Sequence, residues 1–312
     1  MVFPTSSVEE GTKEDSWVDR YYEALDFLYR EPQHLGRAKS PNSNLNTLVK
    51  VQVHLRSMEV TLNHLLQQFL SLAPSSLRGR LFECGLGEPI TGDLAMAGWD
   101  VDREYKLQNS NQPDFLFTTN DETFSLEMKI EAKSGFQQVL KYALLGLAVE
   151  HARDNRPMRH SVLFLGKGDF RDLWRKKGRY SSIDGLKLVL ETEKLSFLSG
   201  QPEHLRTQES RYFEIVSTLS VGFLSYDSLA ALLAAEIDQA DGSAGSQVYR
   251  KLLDGMLDEL DRRRLTRPRG SICGKVPGSP TLPKHRLLLG HVAPLLTGPE
   301  PTAQADVARS PS

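Results

Sequence analysis

The sequence has little cysteine, no long apolar run and almost no net charge. Its 312 residues include only Cys84 and Cys273, which are too few for a disulfide framework and lack the C-x-x-C spacing of a zinc site. No stretch approaches the roughly 18 apolar residues of a membrane helix, and the first residues are acidic where a signal peptide is basic. We therefore expect a cytoplasmic protein with no membrane partner.

The charge balance also excludes one class of protein. Thirty-eight Lys and Arg residues face 40 Asp and Glu residues, for a formal net charge of −2. A protein that binds nucleic acid through a global basic field carries a large positive excess, and this chain does not. Any nucleic-acid partner must therefore be held by local basic patches.

The patterning predicts three segments. We expect an N-terminal helix and linker over 1–43, one main domain over 44–265, and a Pro-rich, disordered tail over 266–312. Within the main domain, apolar residues at alternating three- and four-residue steps from Leu48 to Phe69 predict one long helix over 47–72. Its heptad spacing favours either packing on its own domain or a homodimer through this helix. Residues 88–97 suggest a short helix, and 213–226 have the character of a strand.

One segment alternates without a fault, from Phe124 to Lys133. Apolar side chains occupy one face, and the other face carries Ser125, Glu127, Lys129, Glu131 and Lys133. This period predicts a half-buried strand. A second strand, "PDFLF", begins next to Asp114, so pairing of the two strands would bring Asp114 to Glu127 and leave Lys129 one side-chain period further along.

Two carboxylates beside a lysine have a chemical use. Hard carboxylate oxygens suit Mg²⁺ or Mn²⁺, and such a cation activates water and neutralises charge on a scissile phosphate. A nearby ammonium group stabilises the attacking hydroxide. An ordinary amphipathic strand, with Glu and Lys facing water, would show the same alternation and remains the alternative.

These residues resemble the PD-(D/E)xK nuclease superfamily. The matching elements are Pro113-Asp114, then Glu127-Met128-Lys129 in "LEMKIEAK", then the helix "FQQVLKYALL" with its Q-x-x-x-Y pair, Gln138 and Tyr142. The order and spacing of these short motifs carry the resemblance, over roughly residues 81–149 and more weakly to 237.

The resemblance implies a fold, a metal and a set of roles. The fold would be α/β, a restriction-endonuclease-like central mixed sheet flanked by helices. Asp114, Glu127 and the carbonyl between Glu127 and Lys129 would hold Mg²⁺ or Mn²⁺, and Lys129 would be the catalytic lysine. Upstream, "GEPITGDLAMAGWDV" is similar to the segment that carries a further acidic ligand, for which Glu88 is the first choice and Glu83 the competitor.

A second reading frame stays open on the same strand. Glu131 and Lys133 repeat the E-x-K pattern on the same face. We favour Glu127 and Lys129, because Gly135 ends the strand close to the second pair. Glu131 could still serve as a ligand of a second metal.

A local basic patch follows the next predicted strand. It comprises Lys167, Arg171, Arg175, Lys176, Lys177 and Arg179, interleaved with aromatic residues. Clustered cations meet phosphates and aromatic rings stack on bases, although a solvated basic helix would look similar. The expected function is a Mg²⁺-dependent nuclease acting on DNA; the alternatives are a catalytically inactive nuclease-like binding or scaffolding module and a dimeric interaction protein.

Overall fold

The computed structural model describes residues 16–30, 48–97, 114–130, 137–168, 196–199, 201–267 and 287–288. The helices are α1 (Trp17–Arg30), α2 (Leu48–Ser57), α3 (Glu59–Leu72), α4 (Ser75–Leu86), α5 (Gln137–Ala152), α6 (Ser196–Ser199), α7 (Glu203–Arg206), α8 (Glu209–Thr218), α9 (Tyr226–Gln239) and α10 (Ala244–Arg262). The strands are β1 (Ala95–Met96), β2 (Phe115–Thr118), β3 (Glu122–Lys129), β4 (Arg159–Gly166), β5 (Ser220–Ser225) and β6 (Leu287–Leu288).

The described elements fall into two compact units. The helical unit takes α1, α2, α3, α9 and α10, and the sheet unit takes the strands with α4 to α8. The boundaries lie between Ala73 and Pro74 and between Ser225 and Tyr226. The segment 44–265 predicted as one domain contributes to both units, because the chain leaves the helical unit after α3 and returns to it at α9.

The sheet is mixed, with strands in the order β1-β2-β3-β4-β5-β6. β3, β4 and β5 are parallel neighbours, and the outer pairs are antiparallel. Helix α5 connects β3 to β4, as parallel strands require a crossover. The predicted α/β class with a central mixed sheet flanked by helices is confirmed at this level of detail.

Helix α4 was not predicted, and it covers one face of the sheet. Its Gly85 packs against Leu163 of β4 and Gly222 of β5, where a Cβ on either glycine would collide with its neighbour. Glycine permits this close approach of helix and strand. The short helix predicted over 88–97 is wrong, since this stretch is irregular and ends in β1.

Two further predictions of secondary structure need correction. Residues 213–218 belong to α8 rather than to a strand, because Tyr212, Ile215 and Val216 are buried at helical spacing. Leu287 and Leu288, in the segment predicted as a disordered tail, form β6 and pair with Ser220 and Val221 of β5.

The predicted long helix over 47–72 is two helices, because Met58 is extended between α2 and α3. Arg263 of α10 donates hydrogen bonds to the carbonyl oxygens of Arg56 (2.7 Å) and Met58 (3.1 Å) on the two sides of this break, and the Arg56 carbonyl lies in the last turn of α2, where carbonyl oxygens lack partners within the helix. The heptad residues Leu55, Leu62, Leu65 and Phe69 are buried within the chain. This burial agrees with packing of the segment on its own domain, and the alternative of a homodimer through this helix stays a prediction.

Candidate functional site

Strand β3 is covered on both faces. Phe124 contacts Phe82 of α4, with ring centroids 5.1 Å apart. The opposite face carries Glu127, whose carboxylate accepts a hydrogen bond from Tyr142 of α5. Only 6% of the Glu127 surface is exposed. The predicted strand is therefore present over Glu122–Lys129, but the expectation that it is half-buried is wrong, because the face that carries Ser125 and Glu127 is also buried.

Asp114 lies next to Glu127, as expected for two paired strands. Phe115 pairs with Leu126 in the antiparallel register of β2 and β3, so Asp114 precedes β2 at the position opposite Glu127. The Oδ2 atom of Asp114 accepts a hydrogen bond from the backbone N–H of Met128 at 2.6 Å. Asp114 is thereby fixed at the end of the strand pair.

Glu127 is held by three side-chain donors. Its Oε1 accepts from Lys129 Nζ at 2.5 Å and from Gln138 Nε2 at 2.6 Å, and its Oε2 accepts from the Tyr142 hydroxyl. Gln138 and Tyr142 are one helical turn apart on α5, so both can face the same carboxylate. The Q-x-x-x-Y pair of the sequence is thus the pair that orients Glu127.

The Tyr142 hydroxyl stays protonated as a donor. Burial raises the pKa of Tyr142 well above its usual range, and the negative charges of Glu127 and Asp114 raise it further. Its ring packs edge-on against Phe164 of β4, with centroids 6.4 Å apart. A buried hydroxyl of this kind needs a partner, and the partner here is the site carboxylate.

Lys129 is largely buried but keeps some contact with solvent. Its side chain is 12% exposed, against 7% for that of Glu127. It is the last residue of β3, so its stem leaves the strand at the carboxyl edge of the parallel strands. This edge is where ligands commonly bind in open α/β sheets.

The two proposed third ligands lie elsewhere. Glu88 lines a cavity of about 580 Å³ together with Glu122, Arg159 and Ser220, which start β3, β4 and β5. Glu127 is five residues further along β3, or about 16 Å at the rise of a strand. The structure does not bring Glu88 to Asp114 and Glu127. Glu83 of α4 instead accepts a hydrogen bond from the backbone N–H of Ile90 at 3.0 Å.

Several predicted residues fall outside the described ranges. They are Glu131 and Lys133 of the second E-x-K frame, and Arg171, Arg175, Lys176, Lys177 and Arg179 of the basic patch. Lys167 is described, and it is exposed immediately after β4. The choice between the two E-x-K frames therefore stays a prediction.

A second buried polar cluster was missed from the sequence. Glu150 of α5 accepts hydrogen bonds from both Nε (2.9 Å) and Nη2 (2.6 Å) of Arg211, from the Met158 backbone N–H (2.7 Å) and from His160 Nε2 (3.0 Å). Thr123 Oγ1 lies 2.7 Å from His160 Nδ1. The members are scattered along the chain without a motif, so no local signal could have grouped them.

Comparisons with known proteins assign no function to the chain, so its function is inferred from the geometry of the site. No protein-family model, curated protein or solved structure matches the chain. Among the described residues, no helix is both long enough and apolar enough to cross a membrane. Within the same ranges, no three His, Cys, Asp or Glu side chains form a group that could hold a metal ion.

Proposed function

We propose that the chain is a metal-dependent nuclease that hydrolyses phosphodiester bonds, with DNA as the expected substrate, on a restriction-endonuclease-like fold. The observation that carries the proposal is the cluster of Asp114, Glu127 and Lys129 at the end of one strand pair. Carboxylates from adjacent strands with a lysine beside them suit the chemistry of phosphate better than a purely structural role.

The residues present fit a hard divalent cation, Mg²⁺ or Mn²⁺. Asp114 and Glu127 would bind it, and the Met128 carbonyl and waters would supply further oxygens, as such ions commonly require. Glu127 Oε2 accepts one hydrogen bond, from Tyr142, and a carboxylate oxygen has room for two partners. When bound, the cation would lower the pKa of a coordinated water and neutralise charge on the phosphate.

The reaction is a hydrolysis that needs no covalent enzyme intermediate. The oxygen of water bonds to phosphorus, and the bond from phosphorus to one sugar oxygen breaks. One proton of that water passes to the departing sugar oxygen, and the remaining hydroxyl group stays bonded to phosphorus. Water is the only co-reactant, and nothing is oxidised or reduced.

Each side chain then has a distinct task. Lys129, as a compact point charge, stabilises the attacking hydroxide and the negative charge that grows on the phosphate. Gln138 and Tyr142 fix the orientation of Glu127 before substrate arrives. Such preorganisation spares the enzyme the cost of ordering these groups during the reaction.

The experiment is cleavage of supercoiled plasmid and of a single-stranded oligonucleotide with Mg²⁺ or Mn²⁺, with EDTA as the metal-free control. We expect cleavage by the wild type and a fall of about 10²- to 10³-fold for Lys129→Ala. Lys129→Arg should also fail, because a planar guanidinium does not replace a compact ammonium. Lys251→Ala, on the exposed face of α10, is the matched lysine control and should cleave normally.

Two results would overturn the proposal. Full activity in Lys129→Ala would move the site, with Lys133 as the next variant to make. Absence of cleavage by the folded wild type in both metals would favour a nuclease-like binding module in place of an enzyme.

A further inference from the structure

The bend that follows β4 lies beside Lys129. β3 and β4 are parallel, and Lys129 pairs with Gly166 in their register, so both strands reach the same edge together. Lys167 follows at once and is exposed, and Gly168 has a φ of +74°. An exposed ammonium group therefore accompanies the candidate catalytic lysine on the neighbouring strand.

Glycine at 166 lets β3 and β5 pack closely against the end of β4. A Cβ there would lie 3.5 Å from the carbonyl oxygen of Lys129 and 3.2 Å from the ring of Phe223, the second distance being tighter than an ordinary contact. Gly168 adopts the left-handed conformation that side chains disfavour. The bend Gly166–Gly168 thus presents one long side chain, that of Lys167, between two positions without side chains.

We infer that the bend Gly166–Gly168 binds the phosphate adjacent to the scissile phosphate in the same nucleic-acid strand. This inference rests on the proposed function and specifies how the substrate passes over the site. Lys167 Nζ pairs with the phosphate oxygens, and bends that contain a left-handed residue commonly form anion-binding concavities of backbone N–H groups.

The spacing of the two lysines fits adjacent phosphates. Neighbouring strands lie about 4.8 Å apart and successive residues rise about 3.3 Å, which places the Cα atoms of Lys129 and Lys167 about 6 Å from each other. Successive phosphates of one strand rise about 3.4 Å along a duplex axis and lie farther apart than that in space, because the strand also winds around the axis. The flexible four-carbon stems of the lysines cover the remaining difference.

This arrangement assigns the two lysines to different steps. Lys129 is engaged with Glu127 at the reacting phosphate, whereas Lys167 lies outside the carboxylate cluster and holds the strand across the edge from β3 to β4. Loss of Lys167 should therefore raise KM and leave kcat nearly unchanged, since it removes binding that is equal in ground and transition states.

The test measures binding without cleavage. Full-length Lys129→Ala protein in EDTA is titrated into a fluorescently labelled single-stranded oligonucleotide over a series of salt concentrations, with and without Lys167→Ala. We expect Lys167→Ala to weaken binding about two- to fivefold. It should also reduce the slope of log K against log salt by about 0.7, the value for one phosphate of a single strand. Lys167→Arg should restore most of both, and Lys251→Ala should change neither.

The outcomes separate this inference from the proposed function. Unchanged affinity and salt slope in Lys167→Ala would overturn the inference even if the wild type cleaves. Failure of the Lys129→Ala protein to bind the oligonucleotide would overturn it as well. Binding that depends on Lys167, in a protein that cleaves nothing, would support the phosphate site and reject the nuclease.

Discussion

Two buried carboxylates lie near the two ends of β3, and their hydrogen-bond partners differ. At the amino end, Glu150 accepts four hydrogen bonds, two of them from the bidentate guanidinium of Arg211. At the carboxyl end, Glu127 accepts three, and a second carboxylate, Asp114, lies beside it. Both are buried, with Glu150 2% and Glu127 6% exposed, so burial alone does not distinguish them.

The difference indicates which cluster supports the fold and which supports chemistry. A planar Arg that pairs through two nitrogens is the partner best suited to a permanent ion pair, and Glu150 has such a partner in Arg211. Glu127 pairs instead with the more flexible Lys129 and faces another negative charge, that of Asp114, an arrangement that costs stability until a cation binds. Functional sites commonly trade stability in this way.

The largest expected effect is on the amino-end cluster. Glu150→Gln removes the buried charge that Arg211 pairs with, and we expect the free energy of unfolding to fall by about 3 kcal/mol, the low end for buried ion pairs, because Arg211 is 23% exposed and keeps Glu214 as a partner. Urea unfolding measures it. Glu214→Gln is the control, because Glu214 pairs with the same arginine at 2.6 Å but is 60% exposed, where a pair is worth about 0–1 kcal/mol. Equal losses of stability in the two variants would show that the buried Glu150 matters no more to the fold than the exposed Glu214.

A variant at the carboxyl end of β3 tests the same comparison. Glu127→Gln should destabilise less than Glu150→Gln, because it also relieves the repulsion between Glu127 and Asp114. A larger loss of stability in Glu127→Gln would make the carboxyl-end cluster the structural one.

The amino-end cluster should also be sensitive to acid. Burial raises the pKa of Glu150, but hydrogen bonds from Arg211, His160 and the Met158 backbone outweigh it and lower the pKa from 4.5 to about 2. A lowered pKa contributes stability above pH 4.5 and loses it as the pH falls towards 2. The free energy of unfolding, measured from about pH 6 down to about pH 2, should fall in the wild type and fall less in Glu150→Gln. Equal acid sensitivity of the two proteins would contradict this role.

The smallest expected effect concerns Tyr142. Tyr142→Phe removes one hydrogen bond to a charged carboxylate, worth about 1.5–3 kcal/mol, so cleavage should slow by roughly tenfold or more. Tyr212→Phe is matched to it, since the buried Tyr212 hydroxyl donates to the Leu140 carbonyl of the same helix at 3.2 Å. Slowing of similar size in both variants would assign Tyr142 to packing alone. As a positioning residue, Tyr142 should affect kcat more than KM.

Much of the carboxyl-end cluster followed from local sequence. Alternation set the two faces of β3, and the spacing from Asp114 to Glu127 placed both acids at the same position of an antiparallel pair. Helical spacing put Gln138 and Tyr142 on one face of α5. These relations involve short-range periods, which a single sequence displays.

Longer-range features were not readable in the same way. The break at Met58 is stabilised by Arg263, a residue far along the chain that donates to carbonyl oxygens on both sides of the break. Helix α4 needs Gly85 for contact with Gly222, so the glycine that lowers helix propensity is the one that packing requires. Because Glu88 comes just after α4, it lies at the amino ends of the parallel strands, away from Asp114 and Glu127, which it was expected to join.

The most direct test of the central claim is the rate of Mn²⁺-dependent cleavage of a single-stranded oligonucleotide by Glu127→Gln, with Glu214→Gln as the control. Both variants keep side-chain volume and lose one negative charge. If the carboxyl end of β3 is the active site, Glu127→Gln loses about 10²- to 10³-fold while the control keeps the wild-type rate. Cleavage at the wild-type rate by folded Glu127→Gln would contradict the claim.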